Sequence, residues 1–411
     1  MKDPLHARVD ALMAERKIDA LLLTGNTHEH PSFFYLCKGE KLENALLVYK
    51  RGGKNLLIGG DMERDGAART GLDYVPYSQT PYLKIALKHK DDPAAARLAW
   101  LSWVLKKAGV KGRLAVYGPL PLERAVSWLP LLRRALKEQG IQLAVEKEPL
   151  LGRARETKTE PEIDRMREAG LGTKAAFDAL RGTIAGCTAK GQQVVKPDGT
   201  PLTIGDLKRV VRLTLAEHGL VEAQASIIAQ GDEAGVPHNT GTDSRKVVVG
   251  LPIIADIFPR GVHGYFFDMT RTFVPGKASP RLKKLYQDVM ETTLVSFELF
   301  EPGITAADLN ERAQRFMEDK GYESLRSHPG TQVGFCHGLG HGVGLEIHEE
   351  PTFGKAKPRR LEPGMVITIE PGVYYPEKKE GIRIEDVAVV RDGHLENLTN
   401  YPMELEVPLK G

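Results

Sequence analysis

Four acidic residues in the second half of the chain fall where two hairpins would bring them face to face. Asp256 lies near the end of a strand-like run over 247–257 and Asp268 lies in a second run over 265–274, with Pro259, Gly261 and Gly264 between them. Both runs have strand character and the Pro and Gly residues mark a turn, so folding about Val262 sets Asp256 opposite Asp268. A second pair repeats the pattern. Val366-Ile367-Thr368-Ile369-Glu370 is followed by Pro371-Gly372 and a polar stretch, then by Gly381-Ile382-Arg383-Ile384-Glu385-Asp386-Val387. Folding this segment about residues 377 and 378 sets Glu370 opposite Glu385. Opposed ladder residues hold their Cβ atoms about 4.5–5.5 Å apart, and like charges that close disfavour one another's ionisation unless a cation compensates them. Arg383 lies two residues from Glu385 and shares its face by strand alternation. Amphipathic surface strands also carry acids, but Ile369 and Ile384 alternate with these, and the arrangement occurs twice.

Four carboxylates carry a charge that two divalent ions would cancel. Zinc held by nitrogen and sulfur prefers Cys and His. An oxygen-rich set suits Mn²⁺, Co²⁺, Fe²⁺ or Zn²⁺ in a two-metal hydrolase, with ions about 3.5–4 Å apart sharing a hydroxide. One imidazole commonly completes such a set, and the stretch His337-Gly338-Leu339-Gly340-His341-Gly342-Val343-Gly344-Leu345-Glu346-Ile347-His348-Glu349-Glu350-Pro351 offers three. Its glycines form neither a P-loop nor a dinucleotide fingerprint, and the chain has no His-Glu-x-x-His or Gly-x-Ser-x-Gly. Glycines on both sides of His341 let the backbone approach closely, which suits a ligand held between two sheets.

The elements that position these residues show an internal duplication. Thr203, Asp206, Leu207 and Gly219 are matched by Thr305, Asp308, Leu309 and Gly321 at a constant offset of 102 residues. Each copy reads as a Thr-x-x-Asp cap, a helix and a terminating Gly. Each is followed by a glycine-rich stretch with a histidine, His238 in the first and His341 in the second, and then by a carboxylate pair. A pseudo-twofold domain with one site between its halves would look like this. A helix starts at Thr159-Glu160-Pro161-Glu162, placed as a capping box, and continues on one face through Ile163, Met166, Gly170, Thr173, Phe177, Leu180 and Ile184. A Pro/Gly-rich loop over 191–201 follows. The domain boundary is therefore set near residue 155, giving an α/β domain over 1–154 and a catalytic domain over 155–411. Residues 1–154 alternate helical and strand-like segments and carry no evident chemistry; His28 and His30 read as a polar turn.

At 411 residues the chain has room for two domains and a core burying about 70–75% of its unfolded surface. A net charge of +3 from 57 basic and 54 acidic residues gives no field to recruit nucleic acid or an anionic membrane. No apolar run approaches the roughly 18–20 residues of a spanning helix, and the start of the chain lacks a signal-peptide core. Cys37, Cys187 and Cys336 are odd in number and widely separated, which suits a reducing compartment, with the cytoplasm as the default.

The order of motifs resembles the pita-bread metallopeptidases, which include methionine aminopeptidase, aminopeptidase P and prolidase. It runs from Gly235-Val236-Pro237-His238-Asn239 through the Asp256 and Gly264-Tyr265-x-x-Asp268-x-Thr270-Arg271-Thr272 segments. It continues through Gly340-His341-Gly342-x-Gly344-Leu345-x-x-His348-Glu349-x-Pro351 and Glu370-Pro371-Gly372-Val373-Tyr374 to Gly381-x-Arg383-x-Glu385-Asp386. An α/β domain ahead of that block is similar to the creatinase/prolidase branch. Asp256 and Asp268 stand twelve apart where the family pattern has eleven, implying a longer turn, and the 191–201 loop lies outside the family core.

The resemblance implies an α+β pita-bread fold, Asp256, Asp268, His341, Glu370 and Glu385 as ligands to two divalent ions (Mn²⁺, Co²⁺ or Zn²⁺), and a homodimer. Asp256 and Glu385 would bridge the ions, with Asp268 on one side and His341 and Glu370 on the other. Glu370 would also shuttle protons, His238 and His348 would orient the substrate or stabilise its oxyanion, and His337 and Arg383 would anchor the substrate or support the metal shell. The implied activity is hydrolysis of Xaa-Pro dipeptides, with aminopeptidase P action on longer peptides as the alternative. A metal-free binding module or a creatinase-like enzyme would have lost ligands, and none is missing.

Overall fold

The computed structural model describes residues 4–410, and the chain divides after Arg155 into two compact units. In the first, the apolar strand Ala20–Gly25 lies inside a six-stranded mixed sheet, paired antiparallel to Ala45–Lys50 on one side and parallel to Gly112–Tyr117 on the other. Helices Pro93–Lys107 and Leu122–Glu138 bury Leu101, Val104, Leu105, Leu132 and Leu136 against Leu22, Val48 and Leu114. The sequence puts those apolar residues at helical spacing, and their burial fixes both helices on the sheet. His30 is a cap: its Nδ1 accepts the Phe33 N–H at 3.1 Å at the start of helix Pro31–Leu36.

The second unit opens with the helix Glu160–Ala185. The Glu162 carboxylate accepts the Thr159 N–H at 2.8 Å, and Ile163, Met166, Phe177, Leu180 and Ile184 are buried along one face. The duplicated helices are Ile204–Glu217 and Ala306–Asp319. The hydroxyls of Thr203 and Thr305 accept the N–H groups of Asp206 and Asp308 at 3.1 and 3.0 Å, and Gly219 and Gly321 follow the helices at φ 69° and 89°.

Two sheets carry the chemistry-bearing residues. One orders strands 406–407, 269–275, 253–257 and 227–230; the other orders 349–352, 341–342, 366–369, 386–391 and 394–397. The short ladder of Gly372–Tyr375 with Glu380–Arg383 lies beside the first sheet. The Thr272 hydroxyl donates to the Arg383 carbonyl at 2.9 Å and accepts the Arg383 N–H at 3.0 Å, and the Glu385 N–H donates to the Thr270 carbonyl at 3.0 Å. These bonds join the two sheets along a seam.

Three expectations need correction. The strand over 247–257 begins only at Ile253, because Gly250 takes φ 80° and breaks it. The 191–201 loop is partly a hairpin, Thr188–Lys190 with Gln193–Val195, and 247–249 pairs with that hairpin instead of extending the sheet. The first acidic hairpin turns about His263, not Val262: Gly261 N–H meets the Tyr265 carbonyl at 2.8 Å, leaving a three-residue loop that ends in left-handed Gly264 at φ 84°.

Candidate metal centre

That turn shifts the register by two, so Asp256 pairs with Thr270, and Asp268 is not its direct partner. Residues 268 and 270 share a face by alternation, so both aspartates still point the same way, on a diagonal. The second hairpin keeps the expected register. Ile369 pairs with Asp386 and Gly372 with Arg383, which sets Glu370 across from Glu385 in the gap between the two ladders. Glu385 is held by its neighbours across the seam, its Oε2 accepting the Thr270 hydroxyl at 2.7 Å.

His341 sits in the two-residue strand His341–Gly342, against Thr368. A Cβ on Gly340 would lie 2.0 Å from the Thr368 carbonyl oxygen, so only glycine lets the strands approach this closely. The His341 Nδ1 faces the Gly342 carbonyl at 3.1 Å; donation there leaves the lone pair on Nε2, which lies 3.5 Å from Asp268 Oδ2 and 3.4 Å from Glu370 Oε1. Donor atoms of Asp268, His341 and Glu385 all lie within 4.8 Å of one another.

One cavity of about 470 Å³ is lined by Asp256, Asp268, His341, Glu370 and Glu385 together with His238, His337, His348 and Arg383. Phe258, Ile347 and Pro237 give it apolar wall. His238 and His348 are exposed, and the His348 ring stands edge-on to His341 at 4.3 Å.

Arg383 and His337 are committed to the protein. Arg383 is 3% exposed; its Nη2 donates to Asp256 Oδ2 at 2.5 Å, its Nε to the Thr270 hydroxyl at 3.2 Å, and its Nη1 to the Tyr374 hydroxyl at 2.9 Å and the Pro237 carbonyl at 3.2 Å. His337 holds Gly338 O through Nδ1 at 2.7 Å and Tyr374 Oη through Nε2 at 3.0 Å. Burial, then the Arg383 charge, drive the His337 pKa down to about 3, so its ring is neutral. Sequence reasoning missed Thr270, Thr368 and Tyr374. Alternation from Asp268 could have found Thr270, and alternation from Glu370 could have found Thr368 and, through the small hairpin, Tyr374.

Burial followed by repulsion from Asp256 and Glu370 raises the Asp268 pKa well above the carboxylate range. Burial and then Asp268 do the same to Glu385, and burial raises Glu370 to about 8 even though Arg383 opposes it. His341 is lowered to about 3 by burial and by His348.

Residues 164–392 match the model of metallopeptidase family M24. The chain belongs to that family. It is similar to a Xaa-Pro dipeptidase of Pyrococcus furiosus, 37% identical over 180 residues; the match covers 44% of this chain and 48% of that one, so the chain spans about half the length of this relative. Among solved structures it is similar in fold to a Xaa-Pro dipeptidase from Bacillus anthracis, with a TM-score of 0.77 at 23% identity over 98% of this chain and 99% of that one. It is also similar to an X-Pro aminopeptidase from Thermotoga maritima, with a TM-score of 0.74 at 23% identity over 98% and 99%. The fold is an N-terminal α/β domain followed in sequence by an α+β pita-bread domain.

The residues present fit the divalent cations of a metallopeptidase. Among the described residues, Asp256 Oδ1 and Asp268 Oδ1 are buried side-chain oxygens with no hydrogen-bond partner, and an orphaned buried acceptor is costly unless a cation or donor meets it. The donor set of four carboxylates and one unprotonated imidazole nitrogen is the type that hard and borderline divalent ions take.

A pH dependence follows for this M24 chain freed of metal. The native state holds protons on Glu370, Asp268 and Glu385 that the unfolded chain releases above the ordinary carboxylate range. Below about pH 6.5 the neutral His337 and His341, which take up protons on unfolding, offset this; above it stability falls as pH rises to about 8. Scanning calorimetry in chelator should show Tm dropping over that interval, and Mn²⁺ should abolish the drop. A flat Tm in chelator contradicts the carboxyl repulsion.

Proposed function

We propose that the chain is a two-metal peptidase that cleaves Xaa-Pro dipeptides. The observation that carries this is the convergence of Asp256, Asp268, His341, Glu370 and Glu385 on one cavity, with two buried aspartate oxygens lacking partners among the described residues. Asp256, Asp268, His341, Glu370 and Glu385 would hold the two ions; Mn²⁺, Co²⁺ and Zn²⁺ are the candidates. When bound, such a pair lowers the pKa of water to near neutrality and polarises the scissile carbonyl.

The chain's own groups do the rest. Glu370 lines the cavity with its Oε1 3.4 Å from His341 Nε2, where a carboxylate can both take and return a proton. Glu370 Oε1 takes the proton of the attacking water as the new C–O bond forms. It returns that proton to the proline nitrogen as the C–N bond breaks; that nitrogen, a tertiary amide without N–H, must gain a proton to leave. His348 and His238 donate to the carbonyl oxygen as charge develops there. Arg383 holds Asp256 in place, and His337 supports Tyr374 behind it, so of the roles open to these two residues the contacts favour support. A substrate carboxylate would then meet Gln224, His238, Thr240 and His348 on the cavity wall. Phe258, Ile347 and Pro237 give the proline ring an apolar surface.

We place the protein in the cytoplasm, which agrees with free Cys37, Cys187 and Cys336. No helix among the described residues is long and apolar enough to cross a membrane. We also expect a homodimer, with the exposed stripe Leu122, Val126 and Leu129 as apolar surface for a second copy to cover.

The test compares a Xaa-Pro dipeptide, its C-terminal amide, a Xaa-Pro tripeptide and a Xaa-Ala dipeptide after loading with Mn²⁺. The expected result is rapid hydrolysis of the free Xaa-Pro dipeptide, a marked loss on amidation and little cleavage of Xaa-Ala. Equal hydrolysis of the amide, or faster hydrolysis of the tripeptide, would make the enzyme an aminopeptidase P.

A further inference from the structure

Arg271 is a charged residue only 1% exposed and among the largest fully buried side chains of the protein. It lies in the strand Met269–Pro275, between Thr270 and Thr272. Those two threonines hold Glu385 and Arg383 on the cavity side, so alternation puts Arg271 on the opposite face, behind the seam.

A guanidinium has five N–H donors, and here every one is used. Nε donates to the Pro402 carbonyl at 3.1 Å, Nη1 to the Thr270 and Glu385 carbonyls at 2.9 and 2.8 Å, and Nη2 to Asp386 Oδ1 at 2.8 Å and the Tyr401 carbonyl at 2.9 Å. Asp386 is itself 1% exposed and takes a second bond from Asn397 at 2.7 Å on its other oxygen. Nη1 thus bridges the main chains of the two residues whose side chains, Thr270 and Glu385, bond to each other on the cavity side.

Glu385 needs that bridge. It lies between the strands Glu380–Arg383 and Asp386–Arg391, outside both ladders. Its N–H goes to the Thr270 carbonyl and its own carbonyl goes to Arg271. Both main-chain groups of this acid are therefore fixed by two consecutive residues of one strand.

We propose that Arg271 is a positioning residue for Glu385: by clamping the Glu385 carbonyl to the strand that also carries Thr270, it fixes the direction of the Glu385 carboxylate and so the closure of the donor set. This rests on the metallopeptidase reading above. Lysine keeps the charge opposite Asp386 but cannot span two carbonyls and a carboxylate with a planar fork. Asp386→Asn does the reverse, weakening the ion pair while leaving the carbonyl bonds intact.

The experiment measures Mn²⁺ affinity by calorimetry and the Mn²⁺ paramagnetic resonance spectrum in the full chain, with Arg271→Lys and Asp386→Asn beside the parent. Arg271→Lys should bind Mn²⁺ about 10–100-fold more weakly, the range for lost outer-shell partners, with an altered spectrum. Asp386→Asn should stay within about threefold of the parent, whatever its thermal stability. Parent-like affinity in Arg271→Lys, or an equal loss in Asp386→Asn, overturns the proposal. If Arg271→Lys does not fold, Arg271→Gln takes its place: a tenfold loss of affinity supports the clamp, and parent-like affinity overturns it. A parent that takes up no Mn²⁺ would instead refute the metallopeptidase reading.

Discussion

Replacing Asp268 or Glu385 by a neutral residue is expected to abolish Xaa-Pro hydrolysis and remove at least one bound ion, while the metal-free protein stays folded. Both acids are buried, with pKa values raised by burial and by their acidic neighbours. In the absence of cations they are a source of repulsion, and their charge is useful only once a divalent ion offsets it. Asp268→Asn should therefore leave the Tm of the chelated protein at pH 8 unchanged or raised. The drop in turnover should exceed the ~10²–10³-fold that a single transition-state donor supplies. The same logic applies to Glu370→Ala, which loses a donor and the proton carrier together. Metal analysis with turnover and calorimetry on the same preparation decides it. Full activity in chelator, with no ion bound, would sink the reading.

The second large effect is at the cavity mouth. His348→Ala should cost roughly 10²–10³ in kcat, the range for an oxyanion donor, with metal content unchanged. The ring is exposed on one side and edge-on to His341 on the other, and burial followed by His238 lowers its pKa. It is therefore a neutral donor at pH 7, suited to meet a charge that appears only as the carbonyl is attacked. Loss of an ion in this variant would make His348 a ligand instead.

The second acidic pair was readable because the register continues through both ladders of its hairpin, so Glu370 and Glu385 could be set opposite each other by counting. The first pair was misread by two positions. Strand pattern gives each residue's face, but the apex depends on whether Gly264 adopts left-handed φ, and both turns use the same residues. The face was right and the partner was wrong, which is why the aspartates were found although their geometry was not. The stretch over 247–252 misled for a related reason. Val247 is buried, but the run pairs with the hairpin at 188–195, and periodicity does not reveal which neighbour covers an apolar run. Arg271 could be quoted in a motif without its partners, because the carbonyls of Pro402 and Tyr401 lie about 130 residues away.

The seam between the two sheets also bears on how the chain reaches its native state. Asp256 and Asp268 come from one sheet, His341, Glu370 and Glu385 from the other or its edge, and neither alone presents a complete donor set. A cation meeting the nascent chain finds only one hairpin's acids, a weak chelate with no partner across the gap. Full binding energy is available only after the two halves have docked, so the ions act on the last step of assembly. Their main kinetic effect should then fall on the escape from the native basin, holding the docked halves together, with the rate of reaching that basin left to the long-range pairing of the strands.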